Sequence, residues 1–406
     1  MRYKKTYALL REAFDQSSDR IELPGGTVIT NYTFQSASWR ILPGNPTYRC
    51  DSHDRCFVGR AFPRNGDELD VADADVIENR RFRYSVFYPS STQRPGRAIL
   101  LFHGLNERGW DKYLPWAERL VERTDSAVIL FPLAFHMNRA PAAWGDPRLM
   151  LPLSQKRRTK SPTLANSTFA NVAISTRLEA TPQRLVWSGL QTFYDVVQLV
   201  DEIRDGRHPL FAADASVDFF GYSIGAFLCE ILLMTDPGER FADTRLFIFC
   251  GGPTLDRLYP NSRYILDSDA TIALYSFYLA RFENELRADE RLAHYMREGH
   301  HEGRYFEAML NYRQHKDVRE RRLNELADHI AALALRHDDV VPASEVLNTL
   351  QGDFRNIPIP VRIADFPFDH RHVTPFPPSA PDDALDRCFD DVFDTAAEHF
   401  TATLRR

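Results

Sequence analysis

Val217-Asp218-Phe219-Phe220-Gly221-Tyr222-Ser223-Ile224-Gly225-Ala226 is the stretch on which the fold turns. Residues 217–220 are an apolar run of strand length, and residues 226–234 (AFLCEILLM) continue as an apolar helix. Strand, sharp turn and helix around Gly-x-Ser-x-Gly is the setting that lifts a serine hydroxyl above a sheet. Gly221 and Gly225 remove the side chains that would collide where strand and helix cross. The helix aims free N–H groups at negative charge developing beside the serine. The pentapeptide alone arises by chance in on the order of one chain in ten of this length. The flanking strand and helix are what make Ser223 a candidate nucleophile rather than a buried turn serine.

N-terminal to this stretch, Phe82-Arg83-Tyr84-Ser85-Val86-Phe87-Tyr88 alternates like a strand and is stopped by Pro89. Residues 98–102 (AILLF) and 127–131 (AVILF) are continuous apolar runs, as expected of strands covered on both faces. Residues 246–250, 330–335 and 361–364 supply three more. Helical periods lie between them at 114–124 and 183–204; in the second, Leu185, Leu190, Phe193, Val196, Val197, Leu199 and Val200 form one face. The alternation predicts an α/β fold, a doubly wound and mainly parallel sheet.

Two segments interrupt it. Residues 133–182, rich in Pro, Ser, Thr and Arg, read as a long excursion from the sheet. Residues 255–328 are helical and highly charged, and read either as a lid over a site or as a solvated decoration. The expected organisation is an N-terminal extension (1–81), a first part of the core (82–254, with the excursion 133–182), a helical lid insertion (255–328) and a second part of the core (329–406).

Over 406 residues, 44% are hydrophobic and 26% charged, an ordinary globular balance. A formal charge of −6 leaves no electrostatic footprint for nucleic acid or an anionic membrane surface, so a small molecule is the expected partner. No run approaches the roughly 18 apolar residues of a membrane span. The first sixteen residues are broken by Arg11 and Glu12 before any apolar core of a secretory signal forms. Cys50, Cys56, Cys229, Cys250 and Cys388 are scattered and odd in number, unlike a disulfide framework. A cytoplasmic location is the expectation, and oligomeric state is left open.

Phe102-His103-Gly104-Leu105-Asn106 closes a buried strand. Together with the Ser223 turn, it makes residues from about 82 onward resemble the α/β-hydrolase superfamily. Its loop 103–108 (HGLNER) is similar to that of uncharacterised bacterial members. The resemblance implies an oxyanion hole formed by the backbone N–H groups of Leu105 and Ile224, with His103 a structural residue of the loop. Arg336-His337-Asp338-Asp339-Val340-Val341-Pro342 resembles the superfamily's Asp-x-Val-Val-Pro turn, in which an aspartate orients the catalytic histidine. Spacing to Pro342 selects Asp338 over Asp339; a helix N-cap is the plainer alternative. The histidine is expected in the loop after the last strand, where His370 and His372 both fit. His372 is preferred because it directly precedes Val373-Thr374-Pro375-Phe376.

The order Ser223, Asp338, His372 is that of this fold. It implies a serine hydrolase cleaving an ester or related acyl bond through an acyl-serine, without cofactor or metal. A peptidase or amidase would use the same triad, and a non-catalytic binding scaffold is the rival from another class.

Further candidates for substrate contact are His103, Asn138, Arg139, Tyr222 and His370. Trp110, Tyr113 and Trp116 suit either an acyl pocket or helix packing. Cys50 and Cys56 are spaced too widely for a zinc pair, with no second pair to complete it. His300-His301-Glu302, between Gly299 and Gly303, reads as a turn between lid helices. Lys156-Arg157-Arg158 and Lys160 read as a solvated loop, and residues 382–394 as an amphipathic terminal helix packed on the sheet.

Overall fold

The computed structural model describes residues 3–45, 47–50, 52–58, 69, 71–297 and 299–402. The apolar runs pair side by side as strands, joined by less apolar strands from residues 1–81. In chain order these are β1 (Arg20–Glu22), β2 (Thr27–Gln35), β3 (Thr47–Cys50), β4 (Arg55–Val58), β5 (Arg81–Pro89) and β6 (Arg97–Phe102). They continue with β7 (Ala127–Leu130), β8 (Ser216–Tyr222), β9 (Leu246–Phe249), β10 (Ile330–Leu335) and β11 (Val361–Ala364). Nine form one sheet, ordered β1-β2-β5-β7-β6-β8-β9-β10-β11, while β3 and β4 pair as a separate hairpin.

From β7 to β11 all pairings are parallel. At the other edge β1, β2 and β5 run antiparallel to their neighbours. Residues 1–81 therefore add two strands to the same sheet. Every residue of β7, β9 and β10 is buried, which is why those runs are apolar without alternation.

Strand order reverses at β6: β7 lies on one side of it and β8 on the other. The carboxyl ends of β6 and β8 carry His103-Gly104 and Ser223, so both motifs emerge at a topological switch point. This sheet order, with helices on both faces, is the α/β-hydrolase fold. One core lies between the sheet and the helices Tyr3–Ala13, Leu114–Thr124 and Asp382–Thr401. The other lies beneath the helix Arg184–Arg204, the elbow helix Ile224–Thr235 and residues of the 255–328 segment.

Two glycines let the central strands and the elbow helix meet. A Cβ on Gly225 would lie 2.7 Å from Phe102 Cβ and from the Phe102 carbonyl oxygen. One on Gly221 would lie 2.5 Å from Ala226 Cα. Neither contact relaxes without moving backbone.

The two interrupting segments are helical and pack together. Helix Val172–Ala180, in the first, lies on Ser268–Tyr275, in the second. Helix His301–Leu310 lies on the elbow helix. The basic cluster 156–160 belongs to helix Pro147–Lys160 rather than to a solvated loop. There Arg157 donates to Asp267 at 2.7 Å and pairs with Glu179. Asp267 in turn caps Ser268–Tyr275 by accepting from Ala270 N at 3.0 Å, so the charge has a structural use. Among the described residues no helix is long and apolar enough to cross a membrane.

Candidate active site

Ser223 sits between β8 and the elbow helix at φ 56°, ψ −124°, a positive-φ conformation that costs a non-glycine residue free energy. Its Oγ is 2.8 Å from His372 Nε2. His372 lies in the loop after β11, and its Nδ1 is 2.9 Å and 3.1 Å from the two carboxylate oxygens of Asp338. A carboxylate only accepts, so this contact places the ring proton on Nδ1 and leaves the Nε2 lone pair for the serine hydroxyl. Both partners are almost wholly buried, with side-chain exposures of 3% for His372 and 1% for Asp338.

Asp338 is held by the turn after β10. Its Oδ1 accepts from Val340 N at 2.9 Å and Val341 N at 2.8 Å. Burial pushes its carboxyl pKa up, but His372 and these two amides outweigh burial and hold it below the ordinary value. Asp339 grips the backbone instead of the ring, its Oδ1 accepting the N–H of His372 at 2.9 Å. The Tyr222 hydroxyl donates to the His372 carbonyl oxygen. His372 is thus held at its ring, its N–H and its C=O.

Gly104 brings the loop after β6 against the serine, since a Cβ there would lie 3.5 Å from Ser223 Cβ. Gly104 N donates to the Tyr113 hydroxyl at 2.9 Å, and that hydroxyl donates to Glu107 at 3.0 Å. Asn106, at φ 63°, donates to the carbonyls of Ala170 at 2.8 Å and Tyr264 at 2.7 Å. One residue so ties the loop to both insertions. Ile224 begins the elbow helix, where first-turn N–H groups lack intrahelical partners.

An apolar cavity adjoins Ser223. Ile224, the residue after Ser223, lines it together with Leu105, Leu185, Phe227, Phe306 and Leu310. Phe306 fits because residue 189 is glycine: a Cβ there would lie 2.7 Å from the ring. His136 also lines the cavity, and burial lowers its pKa to about 4, so it is neutral.

The remaining sequence candidates fall elsewhere. His103 is fully buried; its Nε2 accepts from Leu133 N at 3.0 Å and its Nδ1 meets the Gly104 carbonyl at 2.8 Å. Arg139 is fully buried and donates to Asp195 at 2.7 Å, Asn79 at 3.0 Å and the Pro132 carbonyl at 3.0 Å. Asn138 donates to the Arg83 carbonyl at 2.8 Å. Both follow β7 and hold neighbouring segments together. His370 packs on Phe366 and Phe368, with Nδ1 3.2 Å from the Phe368 carbonyl. Trp110, Tyr113 and Trp116 lie in the opposite core, Trp116 against Phe220, Tyr222 and Phe249.

The sequence offers no sign of one contributor. Cys250, just past β9 at φ 50°, hydrogen-bonds Asp338 through its thiol, and burial and that carboxylate push its pKa up. A cysteine that stays protonated can donate to the aspartate.

A model of a family of unknown function, DUF6051, matches residues 1–401. No curated protein matches the sequence. Among solved structures, a thermostable esterase from Pseudomonas putida is similar at 11% identity and a TM-score of 0.46, covering 98% of this chain and 91% of that one. A hyperthermophilic esterase from Pyrobaculum calidifontis gives 12% and 0.42, over 97% and 89% of the two chains. A peroxisomal α/β-hydrolase from Saccharomyces cerevisiae gives 13% and 0.40, over 93% and 90%.

Proposed function

We propose that this chain, which belongs to the family of unknown function DUF6051, is a serine hydrolase that cleaves carboxylic esters with a compact apolar group. The observation that carries the reading is the continuous contact from Ser223 Oγ to His372 Nε2 (2.8 Å) and from His372 Nδ1 to Asp338 (2.9 Å), beside an apolar cavity.

In this mechanism Ser223 Oγ attacks the acyl carbon while His372 Nε2 takes its proton. The carbonyl oxygen becomes negative and is held by the N–H groups of Leu105 and Ile224. Collapse breaks the bond to the alkoxy oxygen, which leaves as the alcohol with the proton from His372. Water then attacks the acyl-serine and gives its proton to His372. The carboxylic acid departs as Ser223 recovers its hydrogen. Asp338 stays ionised throughout and stabilises the imidazolium that forms twice. The cavity favours a small ester over a polypeptide, because it is a slot between helices lined mostly by apolar side chains, with Ser188, Thr192 and neutral His136 the polar groups in it.

The test is labelling with a fluorophosphonate, mapped by mass spectrometry, together with hydrolysis of 4-nitrophenyl esters of graded chain length. The expected result is one adduct on Ser223, absent in Ser223→Ala, and ester turnover lost with it. No adduct and no turnover, under conditions that label a control hydrolase, would overturn the reading in favour of a binding scaffold.

A further inference from the structure

Away from Ser223, four potential metal ligands converge from two parts of the chain that are far apart in sequence. Cys50 ends β3 and His53 lies in the turn to β4; His294 is on helix Glu290–Arg297 and His300 immediately precedes helix His301–Leu310. Cys50 Sγ is 3.4 Å from His53 Nδ1 and 3.3 Å from His300 Nε2, and His300 Nε2 is 3.2 Å from His294 Nε2. All four donor atoms lie within 4.8 Å of one another. A tetrahedral zinc with Zn–N near 2.0–2.1 Å and Zn–S near 2.3 Å has ligand–ligand edges of about 3.3–3.6 Å. The three short separations match edges of that tetrahedron.

The rings are turned for the same purpose. His53 and His300 meet at 75°, His53 and His294 at 88°, and His294 and His300 at 86°, so none of the three rings stacks on another, and one donor atom of each lies within 4.8 Å of the others. His300 Nδ1 lies 2.8 Å from Glu302 Oε1, which fixes its proton there and leaves Nε2 bare. Tyr295 stacks on the His300 ring at 4.5 Å and its hydroxyl reaches the Cys50 sulfur. Gly299, at φ 114°, gives His53 its place, since a Cβ there would lie 2.9 Å from His53 Nε2. A thiolate and the Glu302 carboxylate together balance a divalent cation. Cys50, His294 and His300 are buried, and His53 is exposed.

We propose that Cys50, His53, His294 and His300 bind one zinc ion that clamps the β3–β4 hairpin to the helical segment 255–328. Four protein ligands complete the tetrahedron and leave no position for a reacting water, so the site is structural. A two-stranded hairpin of four-residue strands is marginal by itself, and a metal staple supplies what it lacks. The clamp also fixes the start of helix His301–Leu310, whose Phe306 and Leu310 line the cavity beside Ser223. The proposal stands whether or not the chain hydrolyses esters.

The full chain, expressed with zinc and purified without chelator, is expected to carry about one zinc per molecule by elemental mass spectrometry. Replacement by Co²⁺ should give intense tetrahedral d–d bands and a thiolate-to-cobalt charge-transfer band. Cys50→Ala should abolish the charge-transfer band, while Cys56→Ala, an exposed cysteine of the same hairpin, should keep it. His53→Gln, at an exposed position, should lose zinc to a chelator about ten-fold faster or more. Glu302→Gln should weaken zinc about 10–100-fold. Wild type without bound zinc and without the cobalt bands overturns the proposal. So does zinc held equally by wild type, Cys50→Ala and His53→Gln. If Cys50→Ala does not fold, the wild-type cobalt spectrum and His53→Gln decide.

Discussion

The Tyr222 ring stacks on the His372 imidazole, with centroids 5.2 Å apart and planes 15° from parallel, while its hydroxyl donates to the His372 carbonyl oxygen. The residue before the candidate nucleophile thus holds the candidate base in place across 150 positions of sequence. Tyr222→Phe keeps the stack and leaves a buried carbonyl unsatisfied, a cost of about 1–3 kcal/mol. The loop carrying His372 then loses register with Ser223. The expected outcome is a kcat on a 4-nitrophenyl ester about ten-fold lower with KM within about two-fold. An unchanged kcat would reduce Tyr222 to packing.

Asp338 and Asp339 divide the work on His372, one taking the ring and the other the backbone N–H. Asp338→Asn keeps the shape but removes the charge and invites the wrong imidazole tautomer, and should lower kcat about 10³–10⁴-fold. Asp339→Ala removes only an anchor, and about ten-fold is expected. His370→Ala should stay within about three-fold, as that ring contacts Phe366 and Phe368. Steady-state kinetics on the three variants checks the division, and a larger loss in Asp339→Ala than in Asp338→Asn would reverse it.

Much of this geometry was legible because it is local. Gly221 and Gly225 mark a crossing that no side chain could share, and a strand and a helix flank them within ten residues. Largely apolar runs give β6 to β10, since a strand covered on both faces has little room for polar side chains; Asp218 in β8 is buried only by accepting from Arg97 at 3.2 Å and Arg245 N at 2.8 Å. Asn138 and Arg139 illustrate where local reasoning stops. Emergence after a core strand places them on the correct side of the sheet, but Arg139 is consumed by Asp195, 56 residues away. The Cys50 and His300 cluster was illegible for the same reason: its two halves are about 240 residues apart, so neither shows a complete ligand spacing. Cys56, the nearer cysteine in sequence, is exposed. Residues 1–81 show no strong period, yet β1 and β2 extend the sheet. Partly exposed edge strands carry weaker patterns than central ones.

Phe306 closes the cavity beside Ser223 in the space that Gly189 leaves open. Phe306→Ala lengthens the slot by the volume of a ring. Each methylene newly buried contributes up to about 0.8 kcal/mol, about four-fold in kcat/KM. The ratio of kcat/KM for a 4-nitrophenyl octanoate over the acetate should rise about ten-fold or more relative to wild type. A ratio unchanged in a folded variant would mean the acyl chain lies elsewhere.

Glu118 supplies a pH dependence that is independent of the active site. It lies on helix Leu114–Thr124, buried in the opposite core, where Thr27 Oγ1 donates to its Oε1 at 3.0 Å. Burial, with Glu122 nearby, raises its pKa from 4.5 to about 7, and the Thr27 hydroxyl offsets only part of this. The folded chain therefore retains a proton that the unfolded chain releases above about pH 4.5. Its contribution to stability is complete below that pH and is lost as pH rises through about 7. A displacement of this size corresponds to at most about 3 kcal/mol. Glu118→Gln imitates the protonated form and does not titrate, so other groups cancel in the comparison. Calorimetric Tm values for the two proteins should differ least near pH 4.5 and diverge by a few degrees by pH 8, with the variant higher. A difference that stays constant over this range would show that Glu118 is ionised in the folded chain throughout.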